Sequence, residues 1–478
     1  MIDLFRRAGL QLQRQKNVYR IALVACVVFQ ALHLLALPLV MSPDGLEYVA
    51  LSERFGSAGF FEHWSYVRMP LYPLFLRASF DLFGRFPGAA LLPGVLLGFL
   101  GVCVLAAEVR RTRGDLAGAA VLVILSAYPV LVSYEHTVLT ETGTFCALSV
   151  VVVLLSRLAR TGINLKTMAL LGTTLAAAYL FRATAMAALP GVLLVVAVIA
   201  WRSAEGTRPS RLVLAAGLVV VLGLPLATMR LWSAGGRDAR IGSTFGYTLA
   251  YYLAAQGLLT SNDLGDAAPA YEAAKAAAAA QRSSLVEMSP AVAERLHSLD
   301  GKRLLREVIA TNPRAYLTAV SRTALVFAGV QPRPSENELF LSNVRSLSVP
   351  GSKCVCPDAD QPAFARTFAQ SGHRTPLHYV LKIFTPLYSA LVMLGSMLTL
   401  IGFVAGVRRA DPALLACTAV PVAFAAAHAA LLLGTDRFAM PVFPLALLNL
   451  VVLGPVLARS ARVAGEIREE IAVGALGT

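Results

Sequence analysis

The sequence predicts an all-α, multi-pass membrane protein, on three observations: its apolar content, the length of its apolar runs and the placement of its arginines. The 478 residues are 57% hydrophobic and only 15% charged, with a mean hydropathy of +0.65. A soluble domain of this length needs far more polar surface to cover its core. Several apolar runs reach the roughly 20 residues that cross about 30 Å of hydrocarbon. No stretch shows the apolar–polar alternation of half-buried strands.

About ten spans are expected, over 18–40, 87–107, 115–134, 137–157, 165–181, 184–201, 211–230, 379–406, 411–433 and 438–458. The first is too long for the apolar core of a signal peptide and has no clean small-residue cleavage site after it, so it stays as an anchor. Basic residues recur in every second connection, among them Arg110, Arg111 and Arg113, then Arg157 and Arg160, then Arg202 and Arg208, then Arg408 and Arg409. This is the positive-inside pattern. It puts both termini in the cytoplasm. Residues 41–86, the tip near 134–137, the turn at 181–184, loop 231–378 and the turn at 434–437 then face outward. The net charge of +14 follows from this topology. A nucleic-acid binder would need a basic patch interleaved with aromatics on a folded domain, and the sequence has none.

Three regions follow: an N-terminal transmembrane catalytic module at 1–230 with its first outer loop at 41–86, a mostly helical exoplasmic loop region at 231–378, and C-terminal transmembrane helices with a cytoplasmic tail at 379–478. Segment 41–86 is too long for a turn and too polar to cross, and predicts two juxtamembrane helices. The first starts at Ser42-Pro43, serine as N-cap and proline in the first turn, and ends by Gly56 and Gly59. The second runs from Leu71 to Phe83, with Leu71, Phe75, Phe80 and Phe83 near one face, and suits a helix lying in the interface. In loop 231–378, helices are expected near 268–287 and 290–311, with a third from Arg314 to Val330 capped by Asn312-Pro313. Residues 331–377 read as irregular.

Of six cysteines, Cys26, Cys103, Cys146 and Cys417 fall inside spans and read as small core residues. Cys354 and Cys356 fall in the outer loop. An oxidising compartment allows a disulfide there, while the Cys-Val-Cys spacing strains one; both readings stand.

Asp44 is the main candidate for chemistry. A carboxylate at the membrane surface can take a proton from an acceptor hydroxyl and make it a nucleophile; the plainer reading is a first-turn acid favoured by the helix dipole. Glu47, one turn on, supports Asp44 or faces solvent, and with Tyr48 and Tyr72 it is a candidate for positioning substrate. Glu141 opens a span and reads as a second acid, ordering substrate or holding an arginine; the alternative is a helix-start acid. Glu135 and His136, nearer the loop tip, are expected to be wet. Arg68, Arg182, Arg374 and Arg437 all map outside, against the arginine bias. Their planar forks suit a phosphate, and salt bridges or headgroup contacts are the alternative. There is no glycine-rich nucleotide motif and no Ser-His-Asp arrangement. The seven histidines are scattered through the sequence, and no metal site is expected.

These motifs, in this order, resemble the GT-C superfamily of integral membrane glycosyltransferases. The nearest likeness is to its bacterial branch related to protein O-mannosyltransferases and the lipid A aminoarabinose transferase. The likeness spans most of the chain. It rests on Ser42-Pro-Asp-Gly-Leu-Glu-Tyr48, Arg68-Met-Pro-Leu-Tyr-Pro73, Thr140-Glu141, Asn312-Pro-Arg-Ala-Tyr316 and Asp436-Arg-Phe-Ala-Met-Pro441. It implies a helical bundle with juxtamembrane helices over a cavity open to the outer leaflet. It also implies a polyprenyl-phosphate sugar donor, inverting displacement at the anomeric carbon, Asp44 as general base and Glu141 as the second acid. Relatives commonly have Asp where Glu141 stands, several pair the first acid with Glu where Gly45 stands, and the aminoarabinose transferase has an acid near the place of Arg68. The implied acceptor is a lipid, a glycan or a protein, and the implied location is the bacterial inner (plasma) membrane with the site facing the periplasm. No organic cofactor is implied, and a divalent metal is left open. A transporter or flippase of a lipid-linked glycan is the alternative; it calls for inverted repeats and broken helices with mid-membrane charges, which the sequence does not display.

Overall fold

A computed structural model of the chain describes residues 2–36, 43–55, 68–203, 211–235, 240–280, 289–329, 376–432 and 439–454. Every expected span meets a helix. They are α1 (Ile2–Ala36), α4 (Pro87–Arg113), α5 (Asp115–Ser126) with α6 (Pro129–Glu135), α7 (Glu141–Thr161), α8 (Leu165–Phe181), α9 (Leu189–Ser203), α10 (Arg211–Gly235), α17 (Pro376–Arg408), α18 (Pro412–Ala430) and α19 (Phe443–Gly454). Within the described residues seven helices are long and apolar enough to cross, and α5 with α6 makes an eighth when the bent pair counts as one span. α8 and α19 are apolar but shorter. Among the described residues the regular structure is entirely helical, and the chain is a multi-pass membrane protein.

Local chemistry explains the breaks. Gly114 and Gly162 sit at φ +97° and +76° and end α4 and α7, a left-handed conformation that glycine adopts without a Cβ penalty. Asp411 caps α18 by accepting from the Ala413 and Leu414 amides, and Asn164 caps α8 by accepting from Thr167. The span expected at 115–134 bends by 59° between α5 and α6, where Pro129 opens the second piece and cannot donate to the turn before it.

Backbones approach closely where α9 meets α18 and where α8 meets α10. A methyl group on Gly191 would overlap the Ala419 carbonyl, and one on Gly172 would lie 2.6 Å from the Val220 carbonyl oxygen. Small residues at helix crossings allow the dispersion contacts that hold a bundle together in lipid. The main core runs through α4, α7 and α18 with Leu105, Leu148 and Phe424 among its fully buried side chains.

Two short helices sit at one end of the bundle. α2 (Pro43–Arg54) starts at the predicted proline; Ser42, Gly56 and Gly59 lie outside the described residues. α3 covers Leu71–Phe83 as expected, but its packed face differs. Tyr72, Pro73, Leu76, Ser79 and Phe80 are buried, whereas Phe75 and Phe83 are exposed. Phe80 therefore leaves the predicted interfacial face, because α3 packs on α4 and a 13-residue helix has room for only one buried stripe.

A second, smaller core lies in the region after α10. It is built by α11 (Arg240–Ala255), α12 (Ser261–Leu264), α13 (Ala268–Ala280), α14 (Pro290–His297), α15 (Gly301–Thr311) and α16 (Pro313–Phe327) around Leu253, Tyr271, Leu296 and Leu304. The helix expected at 290–311 is two helices, broken at Ser298–Asp300, where Asp300 caps the second through the Lys302 and Arg303 amides. Asn312 caps α16 through Ala315, as expected. α11 was not anticipated. The Tyr316 hydroxyl donates to the Ala430 carbonyl at 2.7 Å, so this cluster is tied to the end of α18.

Candidate functional site

Two acid–arginine groups meet at the end of the bundle that carries α2 and α3. In the first, Arg68 reaches from the start of the α3 segment to α2. Its Nη2 donates to Asp44 and its Nε donates to Glu47 Oε2 at 2.7 Å. The three-residue offset of Asp44 and Glu47 puts both carboxylates on one face of α2, and the guanidinium fork spans them. The group is partly buried, with 17% of the Arg68 side chain and 23% of the Asp44 side chain exposed. The Arg68 guanidinium also stands 5.3 Å from the Tyr48 ring centre, a cation–π distance. Burial opposes its charge, and Tyr48, Asp44 and Glu47 outweigh that, so its pKa is raised.

In the second group, Glu141 opens α7 and is fully buried, and Arg182 caps the end of α8. Arg182 Nη1 donates to Glu141 Oε1 at 2.5 Å, and its Nε donates to Thr184 Oγ1 at 3.1 Å. The 3-10 turn Ala183–Ala188, which follows Arg182, packs against α7, α8 and α18.

Tyr72 links the two groups. Its ring meets Tyr48 edge-on with centres 5.5 Å apart, and its hydroxyl lies against the Leu139 backbone within electrostatic reach of Glu141. Burial, and then the neighbouring Glu141 and Tyr48, push the phenol well above its usual range, so it stays protonated as a hydrogen-bond donor at neutral pH. Asp44, Glu47, Tyr48, Arg68, Tyr72, Glu141 and Arg182 thus come together from α2, α3, α7 and α8. Arg374 and Arg437, the other two arginines of the sequence reading, lie outside the described residues, as do Asp436, Cys354 and Cys356.

Two expectations are corrected. Glu135 and His136 are not wet: neither exposes any surface, because the α6–α7 turn is covered by α1 and α4. The histidines are not all apart either, since His33 Nδ1 lies 2.8 Å from His136 Nε2. A further residue was passed over. His428 on α18 is buried, stacks on Phe424 with ring centres 4.1 Å apart, and lies within electrostatic reach of Arg182. A lone histidine in an apolar run carries no sequence signal for this. Among the described residues no group of three or more His, Cys, Asp or Glu side chains is arranged to hold a metal ion.

Residues 67–227 match the family model of the dolichyl-phosphate-mannose-protein mannosyltransferases, about a third of the chain. No curated protein matches. Two crystal structures of ArnT from Cupriavidus metallidurans are similar, one bound to undecaprenyl phosphate and one in the apo state. They are 17% and 18% identical, each alignment covers 91% of this chain and 77% of theirs, and the TM-scores are 0.38 and 0.37. The segment matched by the family model contains Arg68, Tyr72, Glu141 and Arg182, so the likeness to that family covers these four residues of the site.

Proposed function

We propose that the chain is an inverting glycosyltransferase that moves a sugar from a polyprenyl-phosphate donor to a lipid, glycan or protein acceptor. The reaction takes place on the exoplasmic face of a bacterial inner membrane. The observation that carries this is the convergence of Asp44–Arg68–Glu47 with Glu141–Arg182 through Tyr48 and Tyr72. The family whose model matches 67–227 is named for a dolichyl-phosphate-mannose donor and a protein acceptor, and the positive-inside arginine pattern supports a site end that faces outward.

In this reading the acceptor hydroxyl oxygen attacks the anomeric carbon as the carbon–oxygen bond to the phosphate breaks. The polyprenyl phosphate leaves with that electron pair, and Asp44 takes the hydroxyl proton. Arg68 holds Asp44 and Glu47 in place, so the base is oriented before the acceptor arrives, as proximity requires. The Arg68 and Arg182 guanidinium groups bring positive charge to this end of the bundle, where charge-assisted contacts to the donor phosphate would be made. Tyr72 supplies a neutral hydroxyl beside Glu141.

Two measurements test the proposal. Purified protein in detergent, given a panel of polyprenyl-phosphate sugars with membrane extract as acceptor source, should release polyprenyl phosphate from one of them. Reporter fusions after Arg111, Arg160 and Arg409 should read cytoplasmic, and fusions within 290–311 exoplasmic. A cytoplasmic reading for 290–311, or energised movement of intact lipid-linked sugar without bond cleavage, would replace transfer with the flippase reading.

A further inference from the structure

A second polar cluster lies inside the bundle. Gln30 and His33 of α1 meet Glu135, the last residue of α6, and His136 beyond it; all four are buried. His33 Nε2 bonds to Gln30 Oε1 and lies 3.3 Å from Glu135 Oε2, while Nδ1 lies 2.8 Å from His136 Nε2. An amide oxygen only accepts, so Nε2 of His33 carries the hydrogen. Nδ1 shares a hydrogen bond with His136 Nε2. One imidazole thereby joins α1 to a turn 103 residues away.

The space for this cluster is built by α4. A methyl group on Gly98 would overlap Glu135 Oε1, and one on Gly94 would lie 2.8 Å from the Glu135 carbonyl oxygen. Ionisable groups inside a bundle are costly, and apolar side chains of similar volume pack there without that cost. Packing alone does not explain Glu135 and two histidines.

The turn that starts at His136 ends at Glu141. It is buried throughout and is held at its two ends by two other elements: His136 to His33 of α1, and Glu141 to Arg182 at the end of α8. We propose that His33 and Glu135 are positioning residues for Glu141, fixing the start of α7 through His136. The proposal rests on the reading of Glu141 as part of the transfer site.

The test uses the full chain in nanodiscs with Glu135→Leu, His33→Leu, the double variant and the conservative Glu135→Gln. Hydrogen exchange of amides 136–145 reads the positioning without any substrate, and turnover of the active donor reads its consequence. Glu135→Leu should speed exchange at 136–145 while leaving α9 unchanged. It should also lower kcat by about ten- to a hundredfold, the size of effect that a small misplacement produces, at nearly constant donor KM. Glu135→Gln should restore most of kcat, and the double variant should be no worse than the worse single one. Unchanged exchange at 136–145, or additive losses, would overturn the proposal. Should Glu135→Leu not fold, Gly98→Ala displaces the same carboxylate, and wild-type exchange and kcat in that variant would overturn it equally. Coupled exchange in a protein that turns over no donor would retain the positioning link and discard the transfer reading instead.

Discussion

Arg182 donates to Glu141 from the far end of α8, and the carboxylate it holds exposes no surface at all. Removing the arginine leaves a buried acid without this cation. Breaking a buried pair in this way costs about 3–5 kcal/mol. Arg182→Ala should therefore lower the unfolding midpoint in detergent, and Glu141→Gln should lower it less, because the amide keeps the shape and still accepts from the guanidinium. Equal stability of Arg182→Ala and wild type would mean that solvent reaches the pair.

Asp44→Asn keeps shape and hydrogen bonding to Arg68 but cannot take a proton at neutral pH. Loss of a general base costs about a hundredfold to ten-thousandfold in rate. Turnover of purified Asp44→Asn should fall within that range while the folded fraction and donor binding stay near wild type. Near-normal turnover would move the base to Glu47 or Glu141.

Arg68→Lys tests the bridge. An ammonium is a point charge and does not reproduce the fork that spans Asp44 and Glu47. The variant should lose most of its turnover despite keeping its charge. The exposed pair Arg77–Asp81 on α3 serves as the control, since exposed ion pairs contribute little; Arg77→Lys should leave turnover unchanged. If the two lysine variants behave alike, Arg68 acts by charge alone.

The sequence made some parts of this arrangement legible and hid others for physical reasons. Apolar length located the helices of the bundle, seven or eight of which are long and apolar enough to cross among the described residues, and Pro43, Pro313 and Asn312 marked helix starts because capping is local chemistry. The polar motifs pointed to Asp44, Arg68 and Glu141 because charges beside a membrane are costly. What they did not reveal is pairing. That Arg68 would sit on Asp44 and Glu47, and Arg182 on Glu141, depends on how α3 and α8 pack, which no local pattern encodes. Glu135 and His136 look like loop-tip residues in one dimension, and only the cover provided by α1 and the two glycines of α4 makes them interior.

The helix crossings give a prediction with its own control. Gly191 of α9 approaches the Ala419 backbone of α18 so closely that a methyl group cannot fit, whereas Gly223 of α10 has nothing within 4 Å of an added Cβ. Backbone cannot move aside as a flexible side chain does, and overpacking costs about 1–3 kcal/mol. Gly191→Ala should lower the unfolding midpoint. Gly223→Ala should leave it unchanged or raise it slightly, since glycine inside a helix is worse than alanine by roughly 0.5–1 kcal/mol. Matching shifts for both would mean that α9 and α18 separate freely.

The last prediction concerns Arg437, which falls between α18 and α19 in the sequence and outside the described residues. Arg68 faces two carboxylates and Arg182 faces one, so the described part of the site has more formal negative than positive charge. A donor phosphate brings still more negative charge and requires another cation at the same end of the bundle. Tyr316 and Leu432 tie the preceding end of α18 to the second core, and the chain reaches Arg437 five residues after Leu432. If Arg437 supplies that cation, Arg437→Ala removes a charge-assisted contact of roughly 1.5–3 kcal/mol and should weaken donor affinity or slow transfer accordingly. Arg437→Lys should be intermediate, because charge remains without the fork. Asp436→Ala should be close to wild type. Donor affinity and turnover, measured for the three variants in one detergent, separate this from a structural pair: a defect in Asp436→Ala with none in Arg437→Ala would remove Arg437 from the donor site.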